Sequence, residues 1–567
     1  MSLQFLQQNR FAFFKRGVVM LLVFAAFISR LKAQDVVDAT TMNNKIMAGY
    51  QGWFRTPGDR PGSKSWAHVF NTPADNPVLT PAHLAIDTWP DLSEYGADEK
   101  TPVPGFTYPD GSQASMYSAQ NPKSVLRHFQ WMKQYGIDGV WLSEFCGSFR
   151  QPGKSDTAML TIMRNVRSAA TATGRTWAFM WDMSSFNAKT SKEDVYNIII
   201  NYWKKMVDEG VTSDPRYMHQ NGKPVLLIWG FFPSRPASQP DYMTPVLDFI
   251  LAPGKYQCTL VVGVDNKWRQ GTPEFQAMLM RAAALQPWSV GRRVKDPKTG
   301  YQVSFMDEWT EDMAKCKANN VAFMPVINSG THIAGPPPIP PALPSVPRRN
   351  GNYLWEQFVN VSKTGTINSA FIAMYDEINE GTQIFKVTSK PPVQAAFLTY
   401  EGSTNDYYLR LIGTASKMLK NKTPITFPIP ISPFDLNKSY TIKNKASGLV
   451  LHSNGKAAKN AVIQFAGDGA EWQLIFDGNG YFKIKNRSSG KVLSAGAANE
   501  PVAQASDSNV DNTKWHLEWD GTGNCRIISK ATQEALSSNN STTASSPVIQ
   551  TADAAGQDNL RWQIIEQ

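Results

Sequence analysis

The sequence predicts an α/β protein in which a (β/α)₈ TIM-like barrel is followed by an all-β trefoil. Between about Lys45 and Lys420, eight short apolar runs alternate with segments of helical spacing. These runs are apolar without alternation, which is typical of parallel strands buried on both faces. After Lys420 the chain instead contains three similar segments of about 43 residues, the pattern of a repeat fold. A doubly wound open sheet is the alternative for the first part.

The eight apolar runs are the predicted barrel strands. They are KIMAGYQGWF (45–54), IDGVWLSEF (137–145), TWAFMWDM (176–183), PVLLIWGF (224–231), TLVVGVDN (259–266), PWSVGR (287–292), VAFMPVIN (321–328) and SAFIAMYDE (369–377). The sixth carries the weakest signal. Helical segments separate the runs; residues 191–210, for instance, begin with Ser followed by Glu-Asp and end with Gly. Eight such units fit one barrel with loop insertions.

Residues 1–33 have the pattern of a secretory signal peptide. Three basic residues, Arg10, Lys15 and Arg16, precede the apolar run GVVMLLVFAAFI (17–28), and small Ala33 follows. A membrane anchor is the alternative, but 12 apolar residues are too few for a bilayer core that needs ~20. We therefore expect cleavage near Ala33, a secreted or periplasmic protein, and no membrane association afterwards.

The net charge and the His and Cys residues limit the classes of function that the sequence predicts. The chain has 57 basic and 47 acidic residues, a net charge of +10, and five basic residues but no acidic one lie in the leader. The remaining +5 is too small and dispersed to predict nucleic-acid binding. Seven scattered His and four Cys without C-x-x-C spacing predict no structural zinc site. The four cysteines allow one disulfide or four free thiols.

Polar or aromatic residues stand at the ends of most predicted strands, where barrel enzymes build their sites. They are Trp53, Glu144, Asp182, Asp265, Arg292, Asn328 and the pair Glu377 and Glu380. We expect Tyr50 and Trp53 to stack on the face of a sugar ring, and Trp141 or Trp181 to do the same. The alternative for each of these residues is a place in the barrel core. The acids would accept hydroxyl protons, and Arg292 and Asn328 would donate to oxygens. The alternative is a network that only orients the pair. The Pro-rich stretch 335–349 predicts a rigid loop on the same rim.

The stretch YDEINEGT (375–382) contains the predicted catalytic pair. Glycoside hydrolysis needs two carboxyl groups, one to donate a proton and one to act as nucleophile or base. Glu377 and Glu380 can both face the mouth if Gly381 permits a turn. Two exposed surface charges are the alternative. Asp376 is expected to point away from Glu377.

A Pro-rich linker (421–438) leads to the repeats (439–567). Ile442, Ile484 and Ile527 mark the repeats, which end in Trp472, Trp515 and Trp562. One Trp per repeat predicts a shared core. This region resembles the ricin-type lectin family, whose Q-x-W signature it carries in altered form. That resemblance implies a trefoil that binds sugar, although His452, Ser494 and Ser537 stand where the family has an Asp.

Within the first domain (34–420), the chain from about Lys45 to Lys390 resembles glycoside hydrolase family 99 and related family 71/99-like bacterial proteins. The similarity lies in GYQGWF, YGIDGVWL, PWSVGR and DEINEGTQIFK, with Ile378 where the family has an aromatic residue. It implies a retaining, cofactor-free endo-α-mannosidase acting on a polysaccharide or glycan. Glu377 would be the base towards the sugar 2-hydroxyl, and Glu380 the general acid/base. Double displacement at Glu377 is the competing route. A non-catalytic glycan-binding protein is the alternative function.

Overall fold

The computed structural model describes residues 36–71, 79–150, 156–297, 300–331, 345–455, 462–465, 471–552 and 556–567. The predicted signal peptide and residues 335–344 of the Pro-rich stretch lie outside these ranges. Among the described residues, no helix is both long and apolar enough to cross a membrane. All four cysteines are described and buried, and the thiols of Cys258, Cys316 and Cys525 are free.

The first part of the chain is a parallel barrel in which every strand is followed by a helix. The strands are β1 (Ile46–Tyr50), β2 (Gly139–Phe145), β3 (Thr176–Asp182), β4 (Lys223–Phe231), β5 (Thr259–Val264), β6 (Ala284–Pro287), β7 (Ala322–Phe323 with Val326–Asn328) and β8 (Ala370–Ala373). The helices are α1 (Pro122–Tyr135), α2 (Asp156–Thr173), α3 (Lys192–Asp208), α4 (Pro240–Leu251), α5 (Pro273–Leu279), α6 (Asp307–Ala318), α7 (Asn352–Lys363) and α8 (Tyr407–Leu419). A hairpin of Lys100–Thr107 and Gln113–Tyr117 precedes α1.

Strand β7 closes the barrel because its two pieces pair with different neighbours. Ala322 is in register with Ala284 of β6, whereas Asn328 is in register with Ala373 of β8. Strand β8 in turn pairs with β1. The eight strands thus form a complete ring, which confirms the predicted TIM-like barrel over the open sheet.

The local sequence explains where the helices begin and end. Ser191 caps α3 by accepting a hydrogen bond from the Asp194 N–H at 3.0 Å, as its Ser-x-x-Asp pattern predicts. Gly136 ends α1 in the left-handed region at φ 78°.

The sixth strand lies earlier than the sequence indicated. It spans Ala284–Pro287, so only Pro287 of the predicted run 287–292 belongs to it. The misplacement arose because Trp288 and Val290 made the later stretch look more apolar. Arg292 consequently stands in the loop beyond β6 rather than at the strand end.

The C-terminal part is a closed antiparallel β-structure. Its strands are Tyr440–Asn444, Val450–His452, Ile463–Phe465, Trp472–Phe476, Phe482–Asn486, Val492–Ser494, Ala503–Ala505, Trp515–Trp519, Cys525–Ser529, Ala535–Ser537, Ile549–Thr551 and Trp562–Glu566. The first and last strands pair over five residues and close the structure. Trp472, Trp515 and Trp562 are all fully buried, which confirms their predicted place in the core.

Each of these tryptophans makes the same hydrogen bond. Its indole N–H donates to the carbonyl of a leucine in its own repeat, 21, 22 and 26 residues upstream, at 3.0, 3.0 and 2.8 Å in chain order. The repetition follows from the sequence: each repeat contributes one Trp and one such leucine to a single core. These contacts give the trefoil its internal threefold pattern.

Candidate active site

The candidate site is built around the loop that follows β8. We call residues 376–383 the carboxylate loop, since they contain Asp376, Glu377 and Glu380. Gly381 lies in the left-handed region at φ 62°, which a glycine adopts without steric cost. That conformation folds the loop back, so that the backbone N–H groups of Thr382 and Gln383 both donate to the Glu377 carbonyl at 3.2 Å.

One side of the carboxylate loop is held by side chains that follow β7. The Ser329 hydroxyl donates to the Thr382 carbonyl at 3.0 Å, and the Thr331 hydroxyl donates to the Glu380 carbonyl at 2.8 Å. Arg348 donates from Nη2 to the carbonyls of Gly381 and Gln383, each at 2.7 Å. The backbone that carries the two glutamates is therefore fixed at successive carbonyls.

The opposite side of the loop is tied to the long connection between β1 and α1. The Asn379 side chain donates to the carbonyls of His68, at 2.7 Å, and of Ala85. The Asp87 backbone N–H donates to the Ile378 carbonyl at 2.8 Å. With partners on both sides, the loop is preorganised before any substrate binds.

Glu377 is the deeper of the two glutamates and is only 3% exposed. Its carboxylate accepts hydrogen bonds from the Asn379 backbone N–H at 3.0 Å and from Gln51 Nε2 at 3.3 Å. Burial raises the pKa of Glu377 well above its usual range, and the charges of Glu380 and Asp376 raise it further. Glu377 therefore keeps its proton to a higher pH than an ordinary glutamate.

Glu380 lies at the open side of the mouth, where its side chain is exposed to solvent. The surrounding walls still displace enough water to raise the pKa of Glu380, and the nearby charge of Asp182 adds to the shift. Because Glu380 ionises first, its charge acts on Glu377 rather than the reverse. Glu377 thus holds its proton to a higher pH than Glu380 does.

Asp376 holds the end of β1 and does not face the mouth. Its two carboxylate oxygens accept hydrogen bonds from the backbone N–H groups of Gln51 and Gly52, both at 2.8 Å. Burial raises the pKa of Asp376 to about 6, and those two hydrogen bonds oppose the rise. The role of Asp376 is therefore to join the carboxylate loop to the first strand.

Two further predicted acids stand at strand ends on the same rim. Asp182 ends β3 and accepts a hydrogen bond from the Ser184 backbone N–H at 2.6 Å. Its pKa is raised by burial against the opposing charge of Arg235. Glu144 lies near the end of β2, where burial raises its pKa to about 7 although Arg55 stands nearby. Of the two, Asp182 acts electrostatically on Glu380.

Asp265 and Arg292 interact on the far side of the mouth. Burial raises the pKa of Asp265, and the charges of Arg292, Lys267 and Arg235 oppose the rise. Arg292 also forms an ion pair with Glu308, and burial lowers its pKa to about 10. The guanidinium of Arg292 is thus committed to protein carboxylates.

Two predicted ligand-binding residues lie in the core instead of the mouth. Tyr50 is fully buried, with its hydroxyl 2.9 Å from Nδ1 of His128 on α1. Asn328 is also fully buried, and it donates to Ser289 and accepts from the Gly330 N–H, both at 3.2 Å. No sugar can reach either side chain there. For Tyr50 this is the core alternative, whereas Asn328 was expected at the mouth, because strand-end position does not say which face a side chain takes.

The predicted aromatic platforms divide between core and mouth. Trp141 and Trp181 are fully buried, so they belong to the core. Trp53 is partly buried and stacks on His68 with ring centroids 4.3 Å apart, and on Phe145 at 5.5 Å. His68 is the solvent-facing ring of this stack. The surrounding protein still removes enough water from the imidazole to lower the pKa of His68 to about 4, and the charge of Arg55 adds to the shift. The imidazole is therefore neutral at pH 7.

Two tryptophans that sequence reasoning missed form an aromatic floor. Trp229 near the end of β4 and Trp288 after β6 are partly exposed, with ring centroids 5.3 Å apart. Trp288 also contacts Phe371 of β8 at 6.0 Å. Because β4, β6 and β8 are not neighbours in the sheet, these contacts cross the inside of the barrel. A Trp at the end of each run was the signal available in the sequence.

The barrel therefore offers two carboxyl groups on the carboxylate loop and, on other strands, a pair of partly exposed tryptophans. The pKa values of the two carboxyls are raised to different extents, which suits acid/base chemistry, and the aromatic floor suits the apolar face of a sugar ring. Among the described residues, no group of three His, Cys, Asp or Glu side chains is arranged to hold a metal ion.

In the comparison with known proteins, a family model matches the C-terminal region. A family model described as ricin-type beta-trefoil lectin domain-like matches residues 433–504 and 468–551. Among solved structures, the designed threefold-symmetric protein ThreeFoil is 30% identical over 23% of this chain and 99% of its own, with a TM-score of 0.22. The search of curated proteins found no match.

The barrel is similar to solved glycoside hydrolases. Two structures of the GH99 endo-alpha-mannosidase from Bacteroides thetaiotaomicron, one in complex with bis-tris-propane, are 17% and 16% identical to this chain. Each alignment covers 67% of this chain and 99% of the other, with a TM-score of 0.47. By its own strand topology and by the family match, the chain joins a (β/α)₈ barrel to a ricin-type beta-trefoil lectin-like domain.

Proposed function

We propose that this protein is a glycoside hydrolase whose catalytic residues are Glu377 and Glu380. The observation that carries the proposal is the unequal pair of carboxyls at the C-terminal face of the barrel. A buried glutamate and a solvent-exposed one, both with a raised pKa, can supply the two carboxyl groups that glycoside hydrolysis needs.

The two glutamates have separate roles. Glu377 acts on the sugar 2-hydroxyl, and Glu380, which meets solvent, protonates the leaving oxygen and later activates water. Since burial raises the pKa of Glu377 further than that of Glu380, these roles require substrate binding to transfer a proton from Glu377 to Glu380. Direct attack by Glu377 on the anomeric carbon would need the same transfer. Both routes retain the configuration of the anomeric carbon.

The substrate is an α-linked polysaccharide or glycan, with mannosides favoured by the resemblance of the EINEGTQI segment to family 99. Trp229 and Trp288 would hold a sugar ring by its apolar face. Asp182, adjacent to Glu380, would bind a sugar hydroxyl. We further propose that the protein is exported, since its first 33 residues have the pattern of a signal peptide.

The trefoil is proposed to bind glycan in its first repeat. Phe465 is 38% exposed there, and its ring lies 4.9 Å from that of His452. Exposed aromatic side chains with a polar neighbour are suited to sugar rings. This pair also favours the second candidate function, a glycan-binding protein without hydrolytic activity.

The proposal is tested by incubating the protein with α-mannans, α-glucans and xylans and following products by NMR. Glu377→Gln and Glu380→Gln are compared with Glu274→Gln, a matched change at an exposed glutamate at the start of α5. We expect cleavage with a retained anomer by the native protein and by Glu274→Gln. Each site variant should lose at least a thousandfold in kcat. Saturable binding without cleavage of any substrate would support the glycan-binding function instead.

A further inference from the structure

A hairpin of the trefoil reaches the barrel residues that hold the carboxylate loop. The hairpin connects the end of the strand Trp515–Trp519 to the start of the strand Cys525–Ser529. Within it, the Asp520 N–H donates to the Asn524 carbonyl at 3.0 Å. Gly521 at its tip is packed against Pro347: a Cβ atom added to Gly521 would lie 2.1 Å from the Pro347 Cβ. Residues 521–523 also line one cavity together with Gly381 and Thr331.

Pro347 is followed directly by Arg348, which contacts the carboxylate loop. Arg348 is 7% exposed, and its Nη2 donates to the carbonyls of Gly381 and Gln383. The guanidinium also lies over the ring of Tyr408 at 4.6 Å, which fixes its plane. Gly381 adjoins Glu380, so two contacts and two peptide bonds connect the trefoil hairpin to the residue that carries the outer carboxylate.

The trefoil is held in this position by a second set of contacts. Tyr301 of the barrel lies beneath three guanidiniums, those of Arg349 from the barrel and of Arg526 and Arg561 from the trefoil, at 5.6, 4.9 and 6.0 Å. Arg526 pairs with Glu518 at 2.6 Å. Cations shared between the two domains on one aromatic ring oppose movement of the hairpin away from Pro347.

We propose that the trefoil hairpin 520–524 is a positioning element for the carboxylate loop, acting through Pro347 and Arg348. The trefoil then has a role in catalysis that does not depend on sugar binding. This inference rests on the proposed hydrolase function. Its physical basis is that Gly381 and Gln383 take their backbone positions from Arg348, and the hairpin blocks the direction in which Pro347 would move.

The hairpin itself offers a matched pair of variants. Gly521 and Gly523 have almost the same left-handed backbone, at φ 80° and 83°, but a Cβ at Gly523 would meet no atom within 4 Å. Gly521→Ala and Gly523→Ala therefore share the backbone cost, and only the first displaces Pro347. Hydrogen exchange at the amides of residues 376–385 and the kinetics of glycan cleavage are measured for both.

We expect Gly521→Ala to increase exchange in the carboxylate loop and to lower kcat about tenfold with a smaller change in KM, whereas Gly523→Ala behaves as the native protein. Equal exchange and equal kcat for the two variants would overturn the inference. If the native protein cleaves nothing, the hydrolase proposal fails, but the exchange comparison still decides whether the hairpin positions the loop. Should Gly521→Ala not fold, Arg348→Lys tests the same connection: the loss of one of the two Nη2 contacts should also raise exchange, and unchanged exchange would contradict it.

Discussion

The Gln51 side chain donates a hydrogen bond to the carboxylate of Glu377, with 3.3 Å between Nε2 and Oε2. The backbone N–H of the same residue donates to Asp376. Gln51 thus connects the end of β1 to both acids at the end of β8, and only its side-chain contact touches the proposed catalytic group. That separation allows the electrostatic role of Gln51 to be tested without changing the backbone contact.

Replacing Gln51 by Met is expected to move the pH profile of hydrolysis. The Gln51 hydrogen bond stabilises the ionised form of Glu377 and lowers its pKa, so its loss raises that pKa further. The acid limb of kcat/KM should shift upward by up to about one pH unit, which corresponds to ~1.4 kcal/mol. Gln51→Glu should shift it in the same direction through like charge. A profile that stays in place for both variants would contradict this account of the pair.

Asp376→Asn is expected to lower the stability of the fold more than the rate of hydrolysis. Both oxygens of Asp376 accept backbone N–H groups, so an amide must turn its NH₂ group towards one of two donors. The unmet donor should cost about 1–3 kcal/mol of unfolding free energy. Thermal denaturation should show a lower Tm, and kcat should fall far less than in Glu377→Gln. A loss of kcat equal to that of Glu377→Gln, with no change in Tm, would instead make Asp376 a catalytic residue.

The buried carboxyl of Glu401 makes the free energy of unfolding depend on pH. Burial and the charge of Asp520 raise its pKa to about 7, against the opposing effects of the Asn350 N–H and of Arg348. A group whose folded pKa is raised stabilises the fold at pH below its unfolded pKa near 4.5, and that contribution is lost as the pH rises through 7.

Glu401→Gln removes this titration, because the amide stays neutral. Relative to the native protein, the variant should gain stability between pH 5 and pH 8, by up to roughly 3 kcal/mol. Tm values of both proteins at the two pH values measure the difference. Glu471→Gln, on the exposed surface of the trefoil, serves as the control. A difference between Glu401→Gln and the native protein that does not change with pH would contradict the raised pKa.

The sequence predicted the barrel because continuous apolar runs separated by helical periods report burial directly. It predicted the positions of Glu377, Glu380 and Asp182 because strand ends of a parallel barrel meet at one face. It left open whether Tyr50 belongs to the core and did not place Asn328 there, since the direction of a side chain at a strand end depends on the register and tilt of the closed sheet. The contact between Trp229 and Trp288 was also hidden, because two non-adjacent strands meet only after the barrel closes.

The aromatic floor is expected to act in substrate binding. Trp288→Ala should raise KM about tenfold, because loss of stacking on a sugar face is worth about 1–1.5 kcal/mol. The Glu377 and Glu380 carboxyls keep their contacts in this variant, so kcat should change less than threefold. Trp288→Phe retains an apolar ring and should recover most of the affinity. Steady-state kinetics on the cleaved glycan measure both constants. An unchanged KM in Trp288→Ala would place the substrate away from this floor.

The trefoil core should respond equally in each of its three repeats. Trp472, Trp515 and Trp562 are fully buried, and each donates its indole N–H to one leucine carbonyl. Substitution of any of them by Phe removes that donor and leaves a small cavity, at a cost of about 2–4 kcal/mol. Thermal denaturation of the three single variants should therefore show similar losses of Tm for the trefoil transition. If one variant lost little, its repeat would contribute less to the shared core than the threefold pattern predicts. Because the trefoil also packs on Pro347, the same variants should lower glycan cleavage at temperatures where the trefoil has unfolded and the barrel has not.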